Sequence, residues 1–271
     1  MSFYINLELA LSTNNVNTKK LYVLSCLDNC TKNEIDNSFT KAPKIFLVPS
    51  FYSICTIVEP KMLVARKNLD TMGGLGTLIH SIAHIEYSAI DLAIDAVYRF
   101  REMPIQYRID WLEVALDEIR HFEMLLELLA KVGYKYGDFP VHQGLFDVSM
   151  NTTSSVIDRM AVVPRYFEAS GLDVNPQIIK KLKNLKKLPI ILELISTLEI
   201  ILHEEIDHVH KGDKWFKYLC DQDGLKYSVY FDILEKYELL NKHRPHLNNK
   251  DRKNAGFSCE EIIRLGSKEC K

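Results

Sequence analysis

Two Glu-x-x-His motifs are the residues of this chain whose types and spacing could do chemistry. The first joins Glu118 to His121, and the second joins Glu205 to His208. A Glu and a His three residues apart share one face of an α-helix, because three residues make nearly one turn. Each pair lies on an apolar stripe that faces a predicted core, where neither side chain is cheap to bury without a partner. A bound metal ion would satisfy both groups.

Two further glutamates interrupt apolar stripes on other predicted helices. Glu86 follows Ile85 on the first long helix, and Glu168 follows Phe167 on the third. Four carboxylates and two imidazoles suit a pair of borderline metal ions, with a total charge near neutral. Two carboxylates could bridge the metals and leave coordination positions open for dioxygen. The predicted metal ligands are Glu86, Glu118, His121, Glu168, Glu205 and His208.

Long helices with short connections must position these side chains. Gly133 is predicted to end the second helix, and Pro164 predicts a kink or a local bulge in the third. No run of residues follows the period of a β-strand, so the predicted fold class is all-α. The apolar periodicity predicts long helices over residues 76–101, 104–132, 153–170 and 189–219.

Shorter elements flank these four helices. One or two short helices are expected near the N-terminus, and residues 41–67 read as an extended wrapping segment. Asn175 and Pro176 predict the start of a separate lysine-rich helix, and Ser258 to Glu261 forms a capping box for a last helix. The predicted segments are an N-terminal extension that packs on the bundle, a four-helix bundle and a C-terminal helical extension, over residues 1–70, 71–222 and 223–271.

The composition is that of an ordinary globular protein. Of the 271 residues, 47% are hydrophobic and 26% are charged, and the net charge of −2 favours neither nucleic acid nor an anionic membrane. No apolar stretch is long enough to span a membrane, and the first thirty residues lack the pattern of a signal peptide. A cytoplasmic location and six reduced cysteines are therefore expected.

Two other groups of residues leave alternatives open. His80 and His84 lie four residues apart and could form their own metal pair, although a core or supporting role for His84 is favoured. Two basic patches are expected to be solvated, with contact to nucleic acid as the alternative. They comprise Lys180, Lys181, Lys183, Lys186 and Lys187, and then Lys242, Arg244, Lys250, Arg252 and Lys253.

At these residues the chain resembles an uncharacterised bacterial family with a ferritin-like bundle, domain of unknown function 455. The resemblance covers roughly residues 43–265, and it implies the fold and the ligand set above but no named reaction. The matching text includes His84-Ile85-Glu86, Asp117-Glu118 with Arg120-His121-Phe122, Tyr136-Gly137-Asp138-Phe139-Pro140, Val163-Pro164-Arg165 with Glu168-Ala169, Glu205-Ile206 with His208-Val209, and Ala255-Gly256-Phe257.

The ligand order is also similar to that of the wider ferritin-like di-iron carboxylate superfamily. The radical subunit of ribonucleotide reductase carries a Tyr four residues after the His of its first Glu-x-x-His. This chain has Leu125 there, which argues against a stored tyrosyl radical. A di-iron hydroxylase that oxidises a modified adenosine in tRNA has a similar ligand order. Together with the lysine patches, this resemblance implies a modified nucleoside as one substrate class.

The expected function is therefore that of a non-haem di-iron, or mixed manganese–iron, oxidase or oxygenase that uses dioxygen. A small-molecule or modified-nucleoside substrate, an electron donor and a homodimer are the expected partners. Two alternatives remain: a metal-handling protein without an organic substrate, and an RNA-binding scaffold with a structural metal. The expected pocket walls are Tyr87, Phe122, Tyr166 and Trp215, with the loop over residues 137–142 as either a cap or a rigid connector.

Overall fold

Helices and their connections make up the described part of the chain. A computed structural model describes residues 2–35, 41–185, 188–240 and 246–270, and these ranges contain no β-strand. The predicted all-α fold is therefore confirmed. By its contacts the chain forms two units, residues 1–150 with 185–197 and residues 151–184 with 198–271. The three-segment organisation expected from the sequence stays a prediction.

The first unit is built on two long helices. In this unit α3 packs along α4, α2 packs on α4, and α1 packs on α2 and α3. The predicted bounds of α3 and α4 are confirmed to within a few residues, and Gly133 follows α4 with a φ of 87°, as a terminating glycine should. The helices are α1 Phe3–Ser12, α2 Val16–Thr31, α3 Met72–Arg99, α4 Ile105–Lys131 and α5 Gly144–Asn151.

A buried ion pair links the N-terminal helix α2 to α3. Lys19 is fully buried, and its Nζ lies 2.6 Å from Asp91 Oδ1 and donates to the carbonyl of Ala10 at 2.7 Å. Ser50 donates to the other oxygen of Asp91 at 2.5 Å. Ser50 lies in the predicted wrapping segment, which is irregular apart from short 3₁₀ turns at Ser50–Ser53 and Pro60–Met62.

The second unit contains the C-terminal part of a 34-residue helix. This helix, α8, spans Pro189–Gln222, so it begins within the first unit and continues into the second. Pro164 lies in a π-helical turn over Val163–Glu168, which confirms the predicted bulge. A Cβ on Gly212 of α8 would collide with the Pro164 ring, so the glycine permits this close packing. The remaining helices are α6 Val156–Val162, α7 Ala169–Lys183, α9 Val229–Lys236, α10 Asn249–Asn254 and α11 Cys259–Arg264.

The predicted break between two helices near residue 171 is wrong. Helix α7 continues through Gly171 and Pro176 to Lys183. Pro176 lacks the N–H that would bond to the carbonyl of Leu172. Asn248 supplies that bond, because its Nδ2 donates to the Leu172 carbonyl at 3.1 Å. A distant side chain therefore compensates for the proline, which local sequence could not reveal.

The C-terminal elements correct one expectation and confirm another. Helix α9 ends at Lys236, and α10 follows over Asn249–Asn254. Arg252, expected on a solvated patch, is fully buried and lies 2.6 Å from Asp173. The capping box of Ser258 and Glu261 is confirmed. Four members of the basic patches lie outside the described residues, namely Lys186, Lys187, Lys242 and Arg244.

The expectation that all six cysteines are reduced is also wrong. Cys259 and Cys270 form a disulfide, with their Cα atoms 5.5 Å apart. The other four cysteines, Cys26, Cys30, Cys55 and Cys220, are free and buried. Pairing depends on the return of the chain end to α11, and spacing in the sequence does not specify it.

Among the described residues no helix is both long enough and apolar enough to cross a membrane.

Candidate metal centre

The first unit brings three predicted ligands together between α3 and α4. Glu86 comes from α3, and Glu118 and His121 lie one turn apart on α4. His121 Nδ1 is 3.2 Å from Glu86 Oε2 and 3.5 Å from Glu118 Oε2. Each residue offers a ligand atom within 4.8 Å of those of the other two. All three side chains are buried, with Glu118 and His121 at 0% exposure.

The electrostatics of this group favour a cation. Burial opposes the protonation of His121, but the hydrogen bonds and charges of Glu118 and Glu86 outweigh it and raise its pKa to about 11. Without a metal, the imidazolium proton therefore neutralises part of the carboxylate charge. Carboxylate oxygen and imidazole nitrogen are the ligand types that borderline metals accept. This buried group of Glu and His could hold a metal ion.

The second unit carries the other Glu-x-x-His pair. Glu205 and His208 lie one turn apart on α8 and are buried, at 8% and 0% exposure. His208 Nδ1 is 3.8 Å from Glu205 Oε1, which is too far for a hydrogen bond but suits two ligands of one ion. Glu168 is half-buried at the last position of the π-helical turn. Such turns are frequent at functional sites, because the extra residue re-aims side chains.

An aromatic cluster in the first unit includes the residues that follow two of the ligands. The Tyr87 ring centroid is 5.3 Å from that of Phe122, and the Phe122 centroid is 5.0 Å from that of Tyr136. Tyr87 and Phe122 directly follow the ligands Glu86 and His121 in the sequence. Tyr136 was not expected here, and its only sequence signal is its place in an aromatic-rich connection after α4. In the second unit, Tyr166 is buried and donates to the Leu239 carbonyl at 2.9 Å.

His80 and His84 do not form the metal pair that their spacing allows. His84 Nε2 donates to the carbonyl of His142 at 2.8 Å, and its Nδ1 accepts from the Tyr136 hydroxyl at 2.9 Å. His80 Nε2 accepts a hydrogen bond from the backbone N–H of Gly137 at 2.9 Å. The loop over residues 137–142 therefore packs against these two histidines of α3.

Metal binding to the first group is expected to release protons. At neutral pH the raised pKa of His121 keeps this side chain protonated, and the nitrogen must lose its proton before it can coordinate a metal. We expect about one proton released for each metal bound by this group. Calorimetric titration with Zn²⁺ in buffers of different ionisation enthalpy measures this number. A number near zero at pH 7 would contradict the coordination of a metal by a His121 that is protonated in the metal-free protein.

Comparison with known proteins places the chain in a family. A curated protein from Haemophilus influenzae (strain ATCC 51907 / DSM 11121 / KW20 / Rd), described as an uncharacterized protein, is 34% identical over 273 residues, which cover 96% of this chain and 92% of that protein. No solved structure matches the chain. The family model described as protein of unknown function (DUF455) matches residues 12–263, which begins earlier than the resemblance seen in the sequence. The chain therefore belongs to the DUF455 family of proteins of unknown function.

Proposed function

We propose that this protein is a non-haem di-iron, or manganese–iron, carboxylate protein that oxidises an organic substrate with dioxygen. The observation that carries the proposal is the buried group of Glu86, Glu118 and His121. Two carboxylates around one imidazole, away from solvent, create a strong demand for positive charge. A redox-active metal ion meets that demand and can also react.

We propose further that Glu168, Glu205 and His208 complete the ligand set. Glu205 and His208 repeat the spacing and the burial of Glu118 and His121, and a buried Glu-x-x-His pair likewise favours a bound cation. The alternation of Glu and Glu-x-x-His along the chain supports one shared centre of two metals. When bound, such a pair supplies the electrons and the Lewis acidity that the reduction of dioxygen requires.

Residues of the chain itself prepare the centre. Glu118 and His121 are at 0% exposure, and this exclusion of water strengthens the electrostatic interactions of the first group of ligands. Leu125 is fully buried at the position where a radical-storing relative carries Tyr. An aliphatic side chain there supports chemistry directed at a bound substrate without a stored tyrosyl radical.

Membership of the ferritin-like superfamily is part of this proposal. The electron donor, the modified-nucleoside or other small-molecule substrate, the contact with nucleic acid, the homodimer and the cytoplasmic location stay predictions. Of these, the nucleic-acid contact is weakened by Arg252, which the structure buries in an ion pair with Asp173.

Metal content and oxygen consumption together test the proposal. The purified protein is loaded anaerobically with Fe²⁺, desalted, and its iron is counted by plasma mass spectrometry. About two irons per chain are expected. An oxygen electrode then measures consumption with ascorbate, with and without a panel of small organic acids and modified adenosines.

Repeated oxygen consumption that becomes faster when one compound of the panel is added would support the proposed oxidase or oxygenase function. Many irons per chain, with oxygen consumed only as the iron oxidises, would overturn it in favour of a metal-handling protein. A chain that holds no iron after reconstitution would contradict both.

A further inference from the structure

A second candidate site lies on another face of α3. A cleft of about 390 Å³ opens beside His80 and His84, with Pro60, residues 63–66 and residues 139–142 among its other walls. His84 and Glu86 are two residues apart, so they point about 200° from each other around the helix. The cleft is therefore on a different side of α3 from the ligand Glu86. All of its lining residues belong to the first unit.

More than half of the residues that line the cleft are apolar. Ile85 shows most clearly that apolar surface is left uncovered at the cleft. The apolar stripe of α3 predicts a core residue at this position, but the structure leaves Ile85 47% exposed. An aliphatic side chain at the mouth of a cleft gains if an apolar ligand covers it. The volume is within the range usual for small-molecule sites. The apolar lining includes Pro60, Leu63, Val64, Ile85, Phe139 and Val141.

Hydrogen bonds to the backbone determine which imidazole nitrogens carry protons. The N–H of Gly137 donates to His80 Nε2 at 2.9 Å, and the N–H of Gly144 donates to His142 Nδ1 at 3.0 Å. Each of these nitrogens is therefore an acceptor, and in a neutral ring the proton sits on the other nitrogen. His80 thus carries its proton on Nδ1, and His142 carries its proton on Nε2.

These histidines are donors and not metal ligands. The lone pairs that a metal would need already accept backbone N–H groups. Burial lowers the pKa of His80 to about 4 and also lowers that of His142, so both rings are neutral at pH 7. The ring nitrogens that remain for a ligand are therefore N–H donors. A ligand that complements them must present hydrogen-bond acceptors.

Arg66 is the charged side chain among the residues that line the cleft. The charges of Asp147 and Arg66 both act on His142, and that of Asp138 acts on His80, but neither carboxylate belongs to the lining. Asp138 accepts from the backbone N–H of Lys135 at 2.8 Å, and Asp147 accepts from Gln143 at 2.9 Å. One guanidinium beside neutral donors matches a single negative charge with two acceptor oxygens, which is a carboxylate.

We propose that this cleft binds a small organic monocarboxylic acid, with its carboxylate at Arg66 and His142 and its apolar body against Ile85 and Phe139. The single cation argues against phosphate, which carries more charge than the cleft balances. The apolar walls argue against acids as short and polar as formate. The site takes its ligand independently of the metal centre, because it uses no residue of the six predicted ligands.

Calorimetric titration of the full chain with octanoate, benzoate and octanol tests the proposal. Octanoate and benzoate are expected to bind, and octanol, which has a similar apolar body without the charge, is expected to bind at least about tenfold more weakly. Arg66→Gln should lower the affinity for octanoate by about tenfold, and Arg66→Glu should abolish octanoate binding. Lys61→Gln removes a charge from an exposed side chain outside the lining and is the matched control.

Equal affinities for octanol and octanoate, or an unchanged affinity in Arg66→Gln, would overturn the proposal. Arg66 is exposed, so both variants should fold, and circular dichroism checks this. The titration is repeated with Glu118→Gln, which should bind octanoate as the natural chain does. If the metal proposal failed, octanoate binding would therefore be unaffected. If octanoate did not bind, the iron content expected for the metal centre would be unaffected.

Discussion

Glu118→Gln is expected to lower the iron content of the reconstituted protein from about two ions per chain to one or none. Gln matches the shape of Glu but lacks its charge, so the buried group loses an anionic ligand while its packing is preserved. Glu205→Gln should have the same effect on the second Glu-x-x-His pair. Plasma mass spectrometry after anaerobic loading and desalting measures the content.

Glu127→Gln provides the matched control for Glu118→Gln. Glu127 is an exposed residue of the same helix, α4, and its replacement should leave the iron content unchanged. If both ligand variants retained two ions at undiminished affinity, the proposed centre would be wrong. If only Glu118→Gln lost metal, the site would belong to the first unit alone, and the two-metal proposal would fail.

Arg165→Met is expected to lower the free energy of unfolding by about 3–5 kcal/mol. Arg165 is fully buried, with its Nε 3.0 Å from Asp213 and a terminal nitrogen 2.6 Å from Glu261. Its guanidinium also lies over the rings of Tyr230 and Phe216, at 4.2 and 4.5 Å from their centroids. Met fills most of the volume but leaves Glu261 without its cation and leaves Asp213 with only Lys217, whose Nζ is 2.7 Å from Asp213 Oδ2.

The loss should depend on pH. Burial alone would raise the pKa of Glu261, but Arg165 and the bonds from Ser258 outweigh it and hold that pKa below 4.5. A depressed carboxylate pKa stabilises the fold above pH 4.5, and this contribution fades as the pH falls through the folded value. The difference between Arg165→Met and the natural chain should therefore shrink below pH 4.5.

Urea unfolding followed by circular dichroism measures the change at pH 7 and near pH 4. Arg264→Met is the control, because Arg264 is exposed and its guanidinium lies 3.9 Å from the Phe231 ring centroid. An exposed cation–π contact contributes about 0.5–1 kcal/mol, so the control should lose much less stability. Equal losses of unfolding free energy in the two variants would show that the buried ion pairs of Arg165 do not stabilise the fold as expected.

Local periodicity was sufficient to predict the helices that carry the ligands. Helices α3, α4 and α8 begin and end near their expected residues, because their apolar stripes repeat over many turns. The bulge at Pro164 also follows from the residue itself, since proline cannot donate its hydrogen bond within a helix. Glu86, Glu118 and His121 were identified because a charged residue on an apolar stripe needs a partner.

Contacts between distant residues decided the rest. Helix α7 continues through Pro176 because Asn248, far along the chain, bonds to the carbonyl that the proline leaves unpaired. The sequence pattern predicted that Arg252 is a surface charge, but in the structure it is buried against Asp173. Cys259 pairs with Cys270 through the path of the chain after α11. These are tertiary contacts, and no local pattern encodes them.

The sequence by itself determined an all-α chain with Glu and His at helical spacing on buried faces, because periodicity and the cost of burying charge are local properties. Only the tertiary structure decided that Glu86 meets His121 at 3.2 Å, and that His80 and His142 use their lone pairs on backbone N–H groups. The reason is geometric. A ligand set and a cleft depend on distances between side chains from different elements, which exist only after those elements pack.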